Sequence, residues 1–136
     1  MTKDIWLNLP VKDVAVSKKF FTDLGYTFNS GKDNETMACM TVSDKKFVVM
    51  LFADYMFETF TQSDSTDTKQ SAEILVSLEV QTREEVDELA VKVTEAGGTV
   101  FAQPGVKMGW LYGMGFADPD GHRWNVMYMD WSKMPK

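Results

Sequence analysis

Apolar and polar positions alternate over residues 5–11, with Ile5, Leu7, Leu9 and Val11 on one side and Trp6, Asn8 and Pro10 on the other. A period of two predicts a strand with two different neighbours. Asp13 follows where a helix cap belongs. Val14, Ser17, Phe21 and Leu24 then recur at helical spacing, and Gly25 supplies a left-handed stop. Three further strands are predicted near residues 26–29, 37–42 and 47–53, with polar turns at 30–35 and 43–46. The first unit therefore reads βαβββ over residues 1–55.

Residues 61–72 contain six Ser or Thr and only Ala72 as an apolar side chain, the composition of a linker or exposed arm. The aromatic segment before it, 55–60, predicts a short helix packed on the first unit; together these make a connecting stretch of 56–72. From Glu73 the first plan returns and fills residues 73–136. Ile74, Val76, Leu78 and Val80 alternate with Glu73, Leu75, Ser77 and Glu79, again a half-buried strand, and Thr82-Arg83-Glu84-Glu85 forms a capping box. Val86, Leu89, Ala90, Val93 and Ala96 mark the buried side of the helix that follows, which stops at Gly97-Gly98. Strands are expected over 99–103, 112–117 and 122–129, the last two joined by the turn Asp118-Pro119-Asp120-Gly121. The fold class is α+β, two tandem βαβββ modules within one domain of residues 1–136. One helix covers one face of a four-stranded sheet, so the other face must be buried or enclose something.

Composition narrows what that face can hold. One His and one Cys leave no intrachain disulfide and no Cys/His zinc cluster. A net charge of −6 has the wrong sign for nucleic acid. The longest apolar run, residues 47–53, is far short of the roughly 20 needed to span a membrane. No apolar leader precedes the first strand, so a reduced cytoplasmic protein is expected, and the Asn34-Glu35-Thr36 sequon reads as chance. Cys39 is expected as a buried small hydrophobe, and His122 as an exposed turn residue.

Asn8-Leu9-Pro10-Val11-Lys12-Asp13, Phe20-Phe21-Thr22-Asp23-Leu24-Gly25-Tyr26 and Phe116-Ala117-Asp118-Pro119-Asp120-Gly121-His122 give the chain a strong family likeness. It resembles the vicinal oxygen chelate superfamily of glyoxalases, bleomycin-resistance proteins and extradiol dioxygenases, over nearly its whole length. The resemblance implies a cupped mixed sheet with helices on its outer face, a homodimer, and a small-molecule ligand. Metal-dependent members draw His and Glu ligands from the first and last strands of each module. The corresponding positions carry Trp6, Leu75 and Asn125, with a fourth near Met50, so neither a metal nor another cofactor is expected.

With Leu7, Leu9, Val76, Leu78, Trp124 and Val126 toward the helices, alternation turns Trp6, Asn8, Leu75, Ser77, Glu79, Arg123, Asn125 and Met127 to the cup. Asn8 and Asn125 either bind ligand or satisfy each other or a water. Glu79 and Arg123 either recognise ligand or pair as a salt bridge at the rim. The many Met residues suit a core or an adaptable pocket. Residues 105–113 read as a mobile glycine-flanked loop laying Trp110 and Tyr112 over a ligand, or as an aromatic hairpin packed on a dimer partner. The ligand candidates are thus Trp6, Asn8, Ser77, Glu79, Trp110, Tyr112, Arg123 and Asn125. The leading expectation is metal-free binding of a small aromatic or amphipathic molecule, the acidic balance favouring cationic drugs. The alternatives are a metal-dependent lyase or dioxygenase with non-standard ligands around Glu79, and a dimerisation module with a filled cup.

Overall fold

A computed structural model describes residues 1–29, 31 and 33–135. It divides into two compact units, Met1–Asp67 and Thr68–Lys136. In the first, β1 (Leu7–Val11) leads through α1 (Val14–Asp23) to β2 (Thr27–Phe28), β3 (Met37–Thr41), β4 (Val48–Ala53) and α2 (Asp54–Thr61). In the second, β5 (Leu75–Val80) leads through α3 (Arg83–Glu95) to β6 (Thr99–Met108), β7 (Leu111–Ala117) and β8 (Arg123–Met129), then a 3-10 turn at Trp131–Lys133. The sheets have the matching orders β1-β4-β3-β2 and β5-β8-β7-β6. In each, the first strand runs parallel to the last and the other neighbours are antiparallel. The predicted βαβββ plan is present in both units.

Local chemistry explains the boundaries. The Asp13 carboxylate accepts from the amides of Ala15 (2.9 Å) and Val16 (3.2 Å), satisfying donors that the first turn of α1 leaves free. Thr82 does the same for Glu85 (3.2 Å) at α3; among the described residues only this half of the expected box is made. Gly25 and Gly97 stop the helices with φ of 104° and 93°. β1 begins at Leu7, two residues later than its alternation suggested: its pairing with β4 starts at Leu7 and Val49, and Ile5 and Trp6 stay exposed. The turn expected over residues 30–35 includes Ser30 and Lys32, which lie outside the described residues. The aromatic segment forms α2, which packs against β1 and β4.

Each sheet buries its helix-facing side. In the first unit Leu9, Val11, Ala38, Met40, Val49 and Leu51 close over Val14, Phe20 and Phe21 of α1. In the second, Met114, Phe116, Trp124 and Val126 meet Val86, Ala90 and Val93 of α3. Phe116 and Trp124, cross-strand partners, stack with ring centroids 6.0 Å apart. Alternation therefore sends Asn8, Met50 and Cys39, a single register row, to the opposite side of the first sheet. Cys39 is buried as expected. No helix is long and apolar enough to cross a membrane.

Candidate functional site

The open side of the second sheet is laid out in rows by strand register. Leu75 lies beside Arg123 and Ala117, Ser77 beside Asn125 and Gly115, and Glu79 beside Met127 and Gly113. Two of these rows end on glycine, so β7 contributes no side chains at the middle of the face. Gly113 is required by close approach of backbone, and Gly115 makes room for a side chain. A Cβ on Gly113 would stand 2.9 Å from the Val126 carbonyl oxygen, and one on Gly115 would stand 2.5 Å from the Phe101 ring.

Phe101 reaches that position through a bulge. Val100 pairs with Phe116 and Ala102 with Gly115, leaving Phe101 as the extra residue of β6. Its ring lies under the Arg123 guanidinium, whose central carbon is 4.3 Å from the ring centroid. Beside this pair opens a cleft of about 440 Å³, lined by Arg123, Phe101, Ile74, Leu75 and the segment 68–73, Lys69 excepted. The segment is held at that end of the sheet by the Thr68 hydroxyl, which donates to the Asp120 carbonyl, and by close packing of Thr68 and Lys69 on Gly121. A Cβ at Gly121, where φ is 88°, would stand 3.0 Å from the Thr68 carbonyl oxygen.

The turn carrying Gly121 is itself fastened from inside. Asp118 is buried; its carboxylate accepts from the amides of Asp120 and His122, each at 3.0 Å, and from the Trp124 indole at 3.1 Å. Burial pushes Asp118 up to about 6, against the opposing pull of the His122 charge and the indole hydrogen bond. His122 is buried too, 9% exposed, which corrects the expectation of an exposed turn residue: its backbone exchanges hydrogen bonds with Asp118 and draws it inward.

The structure brings together only part of the predicted set. Ser77 and Asn125 are register partners on the open face, with Arg123 one row away at the cleft. Glu79 and Arg123 do not pair. They lie four residues apart along the register, about 13 Å, and Glu79 instead accepts from the Trp131 indole at 2.9 Å. Trp131 stacks on Trp110 with centroids 6.3 Å apart. Residues 105–113 are not a loop: β6 continues to Met108, and the tight turn at Gly109-Trp110 leads directly into β7. Tyr112 shares the phase of Met114 and Phe116 and so lies on the helix side. Its hydroxyl donates to Asp87 of α3 (2.6 Å), and Arg83 lies over its ring at 5.0 Å. That hydrogen bond to a carboxylate raises the Tyr112 pKa. Trp6 and Asn8 belong to the first unit, Trp6 just ahead of β1 and Asn8 exposed within it. Phe101 and the segment 68–74 were missed. The one available signal was Gly115, a strand glycine that marks close approach by another group.

A metal at the family's positions would meet an indole at Trp6, a thioether at Met50, an alkyl chain at Leu75 and an amide at Asn125. Only the last offers an oxygen donor. Among the described residues no group of three or more His, Cys, Asp or Glu is placed to hold an ion. The donor set does not fit a divalent metal.

A family model described as bleomycin resistance protein-like N-terminal matches residues 3–43. Among solved structures, the chain is similar to a hypothetical protein from S. aureus, 34% identical, with 94% of each chain covered and a TM-score of 0.83. It is also similar to a glyoxalase/bleomycin resistance protein/dioxygenase family enzyme from Burkholderia phytofirmans PsJN, 17% identical over 91% of this chain and 96% of that one, TM-score 0.77. A glyoxalase-related enzyme from Fulvimarina pelagi is 17% identical over 93% of this chain and 88% of that one, TM-score 0.79. These last two likenesses concern the fold. No curated protein matches. With its duplicated βαβββ plan, its Asp-Pro-Asp-Gly turn and these relatives, the chain belongs to the vicinal oxygen chelate superfamily, the glyoxalase/bleomycin resistance/dioxygenase group.

Proposed function

We propose that the protein binds a small aromatic or amphipathic molecule against the open face of its second sheet and does so without a catalytic metal. The observation that carries this reading is the cleft of about 440 Å³ at the Arg123 end of that face. Its volume suits a small ligand, and its walls set the apolar Ile74, Leu75 and Phe101 against a polar side of Thr68, Gln70, Ser71, Glu73 and Arg123, a division that suits an amphipathic molecule. Gly113 and Gly115 let Met127 and Phe101 pack close over β7, so the room for a ligand lies at the Arg123 end and not over the middle of the face. Ser77, Asn125 and Glu79 continue the strip away from the cleft and would contact the longer part of an amphipathic ligand. The metal-free part rests on the donor chemistry of Trp6, Met50, Leu75 and Asn125. A homodimer in the cytoplasm completes the reading, supported by the exposed Ile5 and Trp6 and by a single cysteine that has no partner for a disulfide.

Thermal-shift screening of the purified chain against aromatic antibiotics, thiol adducts and divalent metals tests it. A ligand at a hundred times its Kd adds about 2.7 kcal/mol of apparent stability. We expect a rise with an aromatic compound and none with metals. A metal-dependent rise reversed by EDTA, together with lyase or ring-opening activity lost in Glu79→Ala, would overturn the reading in favour of an enzyme.

A further inference from the structure

We infer that the Arg123–Phe101 pair is a recognition site for the carboxylate of a planar aromatic monocarboxylate, an inference that rests on the ligand-binding reading and names its chemical class. Among the described residues Arg123 makes no ion pair. One face of its guanidinium is covered by the Phe101 ring, 4.3 Å from the centroid. A guanidinium stacked in this way keeps its edge N–H groups available, and that edge matches a carboxylate with two parallel hydrogen bonds. Stacking also restricts the long side chain, so less freedom is lost when the anion arrives.

The surroundings select the rest of the ligand. Phe101, Ile74 and Leu75 give the cleft apolar walls, and all three are exposed to solvent in the unliganded chain. A flat ring beside Phe101 covers them while its carboxylate meets Arg123. Glu73 is the other ionised group in the lining. Its charge opposes a second anionic group, so a monocarboxylate is preferred to a dicarboxylate. The net charge of −6 acts at long range and favours cations. At contact distance inside the cleft, the unpaired guanidinium decides.

The test is calorimetric titration of the full chain with naphthoate, its neutral analogue naphthylmethanol, and naphthalene dicarboxylate. Naphthoate is expected to bind at least about tenfold more tightly than the alcohol, and Arg123→Gln to weaken it by about ten- to a hundredfold, the value of a charge-assisted hydrogen bond. Arg123→Gln should weaken the alcohol by less than about threefold, far less than it weakens naphthoate. Glu73→Gln should narrow the gap between mono- and dicarboxylate. Arg123→Lys, which keeps the charge but not the fork or the stacking, should fall between wild type and Arg123→Gln, and it carries the test should Arg123→Gln unfold. Equal binding of acid and alcohol, indifferent to Arg123→Gln, would overturn the carboxylate assignment and leave the ligand-binding reading standing. Absence of binding by all three compounds would overturn both for this cleft.

Discussion

The two units share one plan and differ on their open faces. In the first, α2 packs against β1 and β4, and Phe60 meets Phe52 edge-on with ring centroids 5.5 Å apart. Phe52 shares a register row with Pro10 and Met37, so this helix covers one end of the open side. In the second unit the chain ends in a short 3-10 turn, β7 has glycine at two successive open-face positions, and a cleft remains beside a bulge residue. A duplicated scaffold can thus keep its core while one copy covers its open face with a helix and the other with single side chains, Phe101 and Trp131, that leave a cleft at one end. The hairpins between the last two strands differ in the same sense. Residues 43–46 turn with Lys46 at a φ of 61° and Ser43 Oγ accepting from Phe47 at 3.3 Å, whereas Asp118 accepts three hydrogen bonds and Gly121 takes the positive φ.

The largest effect should come from the part of the second unit that the first lacks. Trp124→Ala removes a fully buried ring, its stack on Phe116 and a donor to Asp118. A loss of about 3 to 5 kcal/mol is expected, read by denaturant unfolding; a loss below about 1 kcal/mol would show that the turn is not fastened through this residue.

Next comes a pH dependence carried by Asp118 of the second unit. Burial holds Asp118 at about 6 in the folded chain against its ordinary value of 3.8, so the folded chain keeps this proton more tightly than the unfolded chain. Between these values only the folded state is protonated, and stability falls as pH rises from about 4 to 6 and then levels off. The contribution is of order 2 to 3 kcal/mol. Unfolding of wild type and Asp118→Asn at pH 4.5 and 7, test conditions about a unit to either side of the folded value, should show wild type losing stability relative to the variant at the higher pH. Parallel behaviour of the two proteins would contradict it.

Gly115→Ala sharpens the contrast between a face covered by a helix and one covered by a single ring. Its methyl group displaces the Phe101 ring, which can swing toward solvent, so the cost should be about 1 to 2 kcal/mol. Aromatic ligand binding should change more than stability does. The smallest effect is expected in the first unit: Lys46→Gly relieves a left-handed residue and should stabilise by about 1 kcal/mol. A destabilised variant would mean that the Lys46 side chain contributes more than its backbone costs.

How much of this was legible follows from which signals are local. β1, α1, β5 and α3 announce themselves through periodicity and through caps that act within three residues, at Asp13 and Thr82. The end of β6 does not. Pro104 and Gly105 resemble loop residues, and each register shift breaks the period of two on which a strand is recognised. Tyr112 was recoverable, since Trp124 inward requires its partner Phe116 inward, and two steps of two along β7 lead to Tyr112. Arg123 and Asn125 could be placed on the open face by the same alternation. Phe101 and the segment 68–74 could not, because a bulge residue and a polar arm obtain their positions from contacts remote in sequence, such as Thr68 with Asp120. His122 was misplaced because its burial follows from the buried carboxylate four residues earlier.

The irregularity of β6 has a consequence for how copies of this chain meet at high concentration. It is an edge of its sheet, and at ten residues it is long enough to template pairing with another chain. Its three register shifts and Pro104 leave no uninterrupted row of donors and acceptors along that edge. The opposite device serves β2, the corresponding edge of the first sheet, which is two residues long. Deleting Phe101 would therefore do more than remove a wall of the cleft: it would take away one of the three interruptions, leaving Pro104 and the two later shifts to protect the edge.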